Sequence, residues 1–136
     1  MAKWTAFPYD NAAFRYSVTT LKKNWARLHA GDAEPLPKDP AVLDAWILFH
    51  SGEFQKAYEA GLAAGGGGIT VANKAQAIYA NYVETKEKTK LEMFLEIADR
   101  AAAQQDTEPD NPNPHYWPAY AIGRYGQGTG VARGRA

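Results

Sequence analysis

The chain is predicted to be all-α. Three features of its 136 residues point there: alanine is abundant, β-branched residues are sparse, and apolar residues recur at helical rather than alternating spacing. A chain of this length fits one domain and removes roughly two-thirds of its unfolded surface from water, enough to fold without staples.

In DNAAFRYSVTTLKKNWARLH, Phe14, Val18, Leu21, Trp25 and Leu28 make one stripe, with Arg15, Lys22, Lys23 and Arg27 off it. Asp10 is placed to cap this helix, and Tyr9 and Phe14 to staple it. Gly31 and the prolines of GDAEPLPKDP end it. Asp39 before Pro40 starts a second helix, because the carboxylate takes a free amide and the proline lacks the one that would be orphaned. That helix runs to about His50, where Ser51 and Gly52 turn the chain. EFQKAYEAGLAA returns antiparallel, with Phe54, Ala57, Tyr58, Gly61 and Leu62 on one side.

The next helix spans about Val71 to Thr85, capped by Thr70, with Ile78, Tyr79, Tyr82 and Val83 as its apolar face. After the charged ETKEKTK, Thr89 and Glu92 form a T-x-x-E capping box for a helix whose stripe is Leu91, Phe94, Leu95, Ala98 and Ala102. DTEPDNPNP reads as a stiff linker and HYWPAYAIGRYG as a last helix, where Pro118 limits the start.

Composition excludes several function classes. There is no cysteine, so no disulfide framework, thiolate nucleophile or thiolate metal site is available. Fifteen basic residues balance fifteen acidic ones, so no whole-chain field draws the protein to nucleic acid or anionic lipid. MAKWTAFPYD lacks the apolar run of a secretory signal, and no segment approaches the roughly 20 apolar residues of a membrane span, so a cytoplasmic location is expected.

The AGGGGIT stretch invites comparison with a phosphate-binding loop. Such a loop needs a preceding strand and a Gly-Lys-Ser/Thr ending, whereas here a helix precedes Gly65 and Lys74 lies six residues beyond Gly68. The run reads instead as a connector between helices, glycine accepting the backbone conformations that end a helix and reverse the chain. His29, His50 and His115 share no ligand spacing and sit near helix ends, where dipole or capping roles suffice. Glu92, Glu96 and Asp99 fall on one stripe, but Arg100 follows Glu96 at ion-pair spacing and no Glu-x-x-His accompanies them. Ser17 and Ser51 have no nucleophile-elbow context. No catalytic constellation, cofactor site or metal site is read from the chain.

From Ala45, small or large residues stand at the spacings two closely crossing helices require: Leu48 three on, Gly52 seven on, Phe54 nine on and Ala57 twelve on. This pattern resembles the tetratricopeptide repeat, with Gly61 and Ala64 at its later small-residue places. Ala45 stands where glycine is commoner, and the glycine run replaces the closing proline. A looser unit resembles the repeat across Ala80, Val83, Ala98, Ala102 and Pro109, and a third begins at HYWPAYAIGRYGQG without a second helix. DAWILFHSGEFQKAYEAGL, GITVANKAQAIYANYVE and the later segments together resemble a group of uncharacterised bacterial tetratricopeptide-like proteins. In that group the chain continues after the Gly-Arg-Tyr segment, whereas GQGTGVARGRA departs from it, as a shortened form or one completed by another molecule.

The resemblance implies a tetratricopeptide-like α-α superhelix of about six helices in antiparallel pairs. It also implies a helical repeat-like domain over 1–126, a flexible Gly/Arg-rich tail over 127–136, and a non-catalytic scaffold binding a protein or peptide. Its concave face would present Trp46, Phe49 and His50, then Lys74, Asn81 and Glu84; Lys74 and Asn81 resemble part of a clamp for a peptide's terminal carboxylate. The alternative is a nucleic-acid accessory protein using the Gly/Arg-rich C-terminal segment GRYGQGTGVARGRA, which holds Arg124, Arg133 and Arg135. Tyr116, Trp117, Tyr120 and Ile122 would lack cover at the end of such a stack, and a two-fold homodimer through them is expected.

Overall fold

The computed structural model describes residues 4–5, 15–31 and 34–107. They form five helices and no strand: α1 (Val18–Leu28), α2 (Pro40–His50), α3 (Phe54–Ala64), α4 (Gly68–Tyr82) and α5 (Glu87–Thr107). The all-α class therefore holds for the described residues. The sixth helix expected in HYWPAYAIGRYG, and the tail, lie outside them. Two compact units divide between Ala75 and Gln76, within α4.

In the first unit, α1 starts later than its apolar stripe suggests, since Arg15 and Tyr16 are not helical. Ser17 caps it reciprocally: the Thr20 amide donates to the Ser17 hydroxyl at 3.2 Å, and the Ser17 amide donates to the Thr20 hydroxyl at 2.8 Å. Asp10, Tyr9 and Phe14 lie outside the described residues, and the cap of α1 is not Asp10. Leu21 and Trp25 are buried and Val18 is exposed, so the inward stripe is narrower than expected.

α2 starts as its sequence dictates, with the Ala41 amide donating to the Asp39 carboxylate at 2.9 Å and Pro40 in the first turn. Val42, Leu43, Ala45, Trp46 and Phe49 are all buried, so most of its circumference faces protein, and it packs against both α1 and α3. It ends in a Schellman motif. The Glu53 amide donates to the Leu48 carbonyl at 2.9 Å, and the Gly52 amide to the Phe49 carbonyl at 3.1 Å, with Gly52 at φ 81°. A side chain at Gly52 would be strained in that conformation, which is why the hairpin turns there.

α3 buries Ala57, Tyr58 and Gly61, while Leu62 stays exposed, outside the expected face. Trp4 packs on this helix, its amide donating to Gln55 Oε1 at 3.0 Å and its ring lying 4.9 Å from that of Tyr58. Ala45 and Ala57 are both fully enclosed, as small residues at a helix crossing should be. Ala57→Leu should therefore lower stability by about 1–3 kcal/mol through overpacking, whereas exposed Lys56→Ala should stay within about 0.5 kcal/mol. Urea unfolding of the two variants checks this, and equal small effects would displace Ala57 from the crossing.

Gly65 and Gly66, at φ 67° and 49°, reverse the chain between α3 and α4. The helix resumes at Gly68, so Thr70 is not its cap; it lies buried inside the first turn of α4. Close approach explains the early start: a Cβ on Gly61 would overlap the Gly68 carbonyl and sit 2.9 Å from the Ala72 amide nitrogen.

In the second unit, the buried residues of α4 are Gln76, Ala77, Tyr79 and Ala80; Tyr82, assigned to the apolar face by its spacing, is 79% exposed. α4 stops at Tyr82 rather than Thr85, and α5 begins at Glu87, so Thr89 lies inside that helix and not at its cap. Met93, Phe94, Ile97, Ala101 and Gln104 form the buried stripe of α5. Leu95 and Ala102 are exposed, so the buried stripe keeps the helical period but is rotated by about one residue from the expected face.

Candidate functional site

The densest gathering of functional side chains is in the first unit, around the C-terminal ends of α1 and α2. Trp25, His29, Trp46, Phe49 and His50 form a continuous aromatic cluster. The indole of Trp25 stacks on the imidazole of His29 at 3.9 Å and meets that of Trp46 edge-on at 5.6 Å. Trp46 in turn stacks on His50 at 5.7 Å and contacts Phe49 edge-on at 5.4 Å. Trp25 Nε1 donates to the Glu34 carbonyl at 2.8 Å, which ties the segment after α1 to the cluster and satisfies an otherwise costly buried donor.

At its centre, the Nε2 atoms of His29 and His50 lie 2.9 Å apart, one donating to the other. His29 is the C-cap residue of α1 and His50 the last residue of α2. The opposite end of α1 is tied to the same place, since the Tyr16 amide donates to Ser51 Oγ at 3.0 Å and the Tyr16 ring lies edge-on to His50 at 5.9 Å. Both ends of α1 thus hold the C-terminus of α2. This pairing was invisible in the sequence, which separates the histidines by 21 positions and gave each only a local role at a helix end.

Among the sequence-predicted groove residues, Trp46, Phe49, His50 and Lys74 come together. Trp46 is fully buried and Phe49 nearly so, while His50 and Lys74 are half-buried. The Lys74 ammonium stands 5.6 Å from the Trp46 ring centroid and 5.7 Å from that of Phe49, within cation–π range of both. Asn81 and Glu84 belong to the second unit. The Glu84 carboxylate accepts from the Lys86 amide and the Tyr79 hydroxyl, each at 3.0 Å. The Lys86 amide, foremost, holds it below the usual carboxylate range, with the Tyr79 hydroxyl adding to the effect.

The acidic stripe of α5, Glu92, Glu96 and Asp99, is exposed, and Glu96 is bonded to its neighbours. Gln76 Nε2 donates to Glu96 Oε2 at 2.8 Å, Arg100 donates to Gln76 Oε1, and Arg100 lies 3.9 Å from Glu96. Among the described residues, no group of three or more His, Cys, Asp or Glu side chains converges as a metal site would require, and no helix is long and apolar enough to cross a membrane. Ser17 and Ser51 serve as a helix cap and as the acceptor for Tyr16. His115 and the residues expected from the sequence to self-associate, Tyr116, Trp117, Tyr120 and Ile122, lie outside the described residues.

Comparison with known proteins returns no matching family model, no similar curated protein and no similar solved structure.

Proposed function

We propose that the chain is a non-catalytic protein-interaction scaffold of tetratricopeptide type, holding a protein or peptide partner without a cofactor. The observation that supports this reading best is the α2–α3 hairpin, with fully buried Ala45 and Ala57 and a glycine Schellman turn. Gly61 then lets α3 approach the start of α4 closely. Successive helices that share faces in this way suit an architecture whose role is to present a surface. Extension into a superhelix of about six helices is part of the same proposal. With Trp46 and Phe49 enclosed, the first unit offers a partner His50 and Lys74, with the rings acting as their support.

The test begins with a partner captured from the source cell and rebuilt with purified components. The expected result is binding that Lys74→Ala weakens by about tenfold while the fold is kept. Isothermal titration with ATP, GTP and NAD should show no heat of binding. A micromolar nucleotide signal that disappears in the double change of Gly66 and Gly67 to Ala would overturn the scaffold reading. Binding to single-stranded RNA that fades steeply with salt would replace it with the nucleic-acid alternative.

A further inference from the structure

The His29–His50 contact has a chemical property that neither ring has alone. A hydrogen bond between two Nε2 atoms at 2.9 Å needs a hydrogen on one nitrogen and a lone pair on the other. The neutral pair satisfies this, and so does the pair carrying one extra proton. With both rings charged, two N–H groups would face each other with no acceptor between them, and the contact would break. Helix C-termini and indole faces favour the singly charged state, for both histidines end helices and each stacks on a tryptophan.

A second positive charge meets opposition. His29 is 3% exposed, and the Lys74 ammonium already stands over Trp46 and Phe49, which pack on the imidazoles. Among the described titratable residues, Tyr16 lies with its ring 5.9 Å from that of His50, Lys74 holds its ammonium over the rings that pack on the pair, and Glu34, whose backbone carbonyl receives the Trp25 indole, belongs to the segment after α1. The two nitrogens stand at hydrogen-bond distance and no third ligand converges on them among the described residues, so a proton rather than a metal ion occupies this contact.

We infer that the His29–His50 hydrogen bond is a proton-operated latch between α1 and the C-terminus of α2, closed while the pair holds at most one extra proton and opened by the second. This inference rests on the contact alone and stands whether or not the chain is a scaffold. Its sign follows from proton counting. The unfolded chain takes a proton on each imidazole below about pH 6.5, while the latched pair takes one fewer. The second protonation therefore opens the latch at a cost in stability that grows as pH falls below that value.

Urea unfolding of the full chain between pH 7.5 and 5.5, in wild type and in His50→Gln, tests this. Glutamine keeps a hydrogen-bonding partner for His29 but does not titrate, and Tyr16, Glu34 and Lys74 are the same in both proteins. Below about pH 6.5 the unfolding constant of the wild type should rise relative to the variant by up to about tenfold per pH unit. Identical pH dependence in the two proteins would overturn the latch. Should His50→Gln not fold, long-range proton–nitrogen correlation spectra of the wild type decide. The latch requires one Nε2 donor, one Nε2 acceptor and two well-separated titration steps for the pair. Two rings titrating independently at ordinary values would refute it.

Discussion

Trp46→Ala should lower the free energy of unfolding by about 3–5 kcal/mol, the range for removing a large aromatic side chain from a packed interior. Trp46 has no exposed surface, and its ring touches Trp25, His29, Phe49 and His50 while the Lys74 ammonium stands over it. One truncation therefore opens a cavity where three helices meet and removes the ring on which His50 stacks. Typical domains have only about 5–15 kcal/mol of stability, so the loss is a large share of the total. Urea titration should show a lower midpoint with little change in slope, and Trp46→Phe should recover part of the loss. A loss below about 1 kcal/mol for the alanine variant would mean that this ring is not the centre of the first unit.

Gly61→Ala is the second large effect, and it runs against helix propensity. Alanine is favoured over glycine inside a helix by about 0.8–1 kcal/mol, so propensity alone would make the change stabilising. Overpacking decides otherwise: the new methyl would overlap the Gly68 carbonyl and crowd the backbone of Ala72. Forcing two helices apart costs typically 1–3 kcal/mol, so a net loss of about 1–2 kcal/mol is expected. Gly67→Ala is the control, because its Cβ would meet only Val42 Cγ1, at an ordinary 3.7 Å. Thermal unfolding of both variants separates the two effects, and a stabilised Gly61→Ala would show that α3 and α4 yield there without cost.

What could be read from the sequence was local chemistry. Asp39 before Pro40 fixes the start of α2 by itself, and Ser51-Gly52 fixes its end, since only glycine sits readily at φ 81°. Where signals competed, the pattern misled. The apolar spacing of α1 runs on upstream through Phe14, and its cap pairs Ser17 with a threonine in place of the usual Glu or Gln. The Thr89 and Glu92 box is bypassed because the chain is already helical at Glu87, close behind the Glu84 carboxylate that receives the Lys86 amide. In α5, alanine carries no phase: Ala98 and Ala102 fit one face as well as Ala101 fits the other, and Ile97 tips the balance. For the candidate site, the aromatic content of α2 was evident, but not which neighbours its rings would meet. The histidine pair exists only because α1 holds α2 at both ends, and no spacing along the chain encodes that.

The bond arrangement at Gln76 gives the second unit a chemical lifetime. Its carboxamide accepts from Arg100 through Oε1 and donates to Glu96 through Nε2, so one neutral group of α4 holds both a cation and an anion of α5. Hydrolysis of that amide, the slow deamidation that accompanies protein ageing, would preserve the acceptor for Arg100 and replace the donor with a second carboxylate opposite Glu96. The Glu96 half of this tie would become a repulsion without any change in chain length or side-chain size, leaving Arg100 between two carboxylates. At 2% exposure, Gln76 is shielded from the water this reaction consumes, so the packing that depends on the amide also slows its loss.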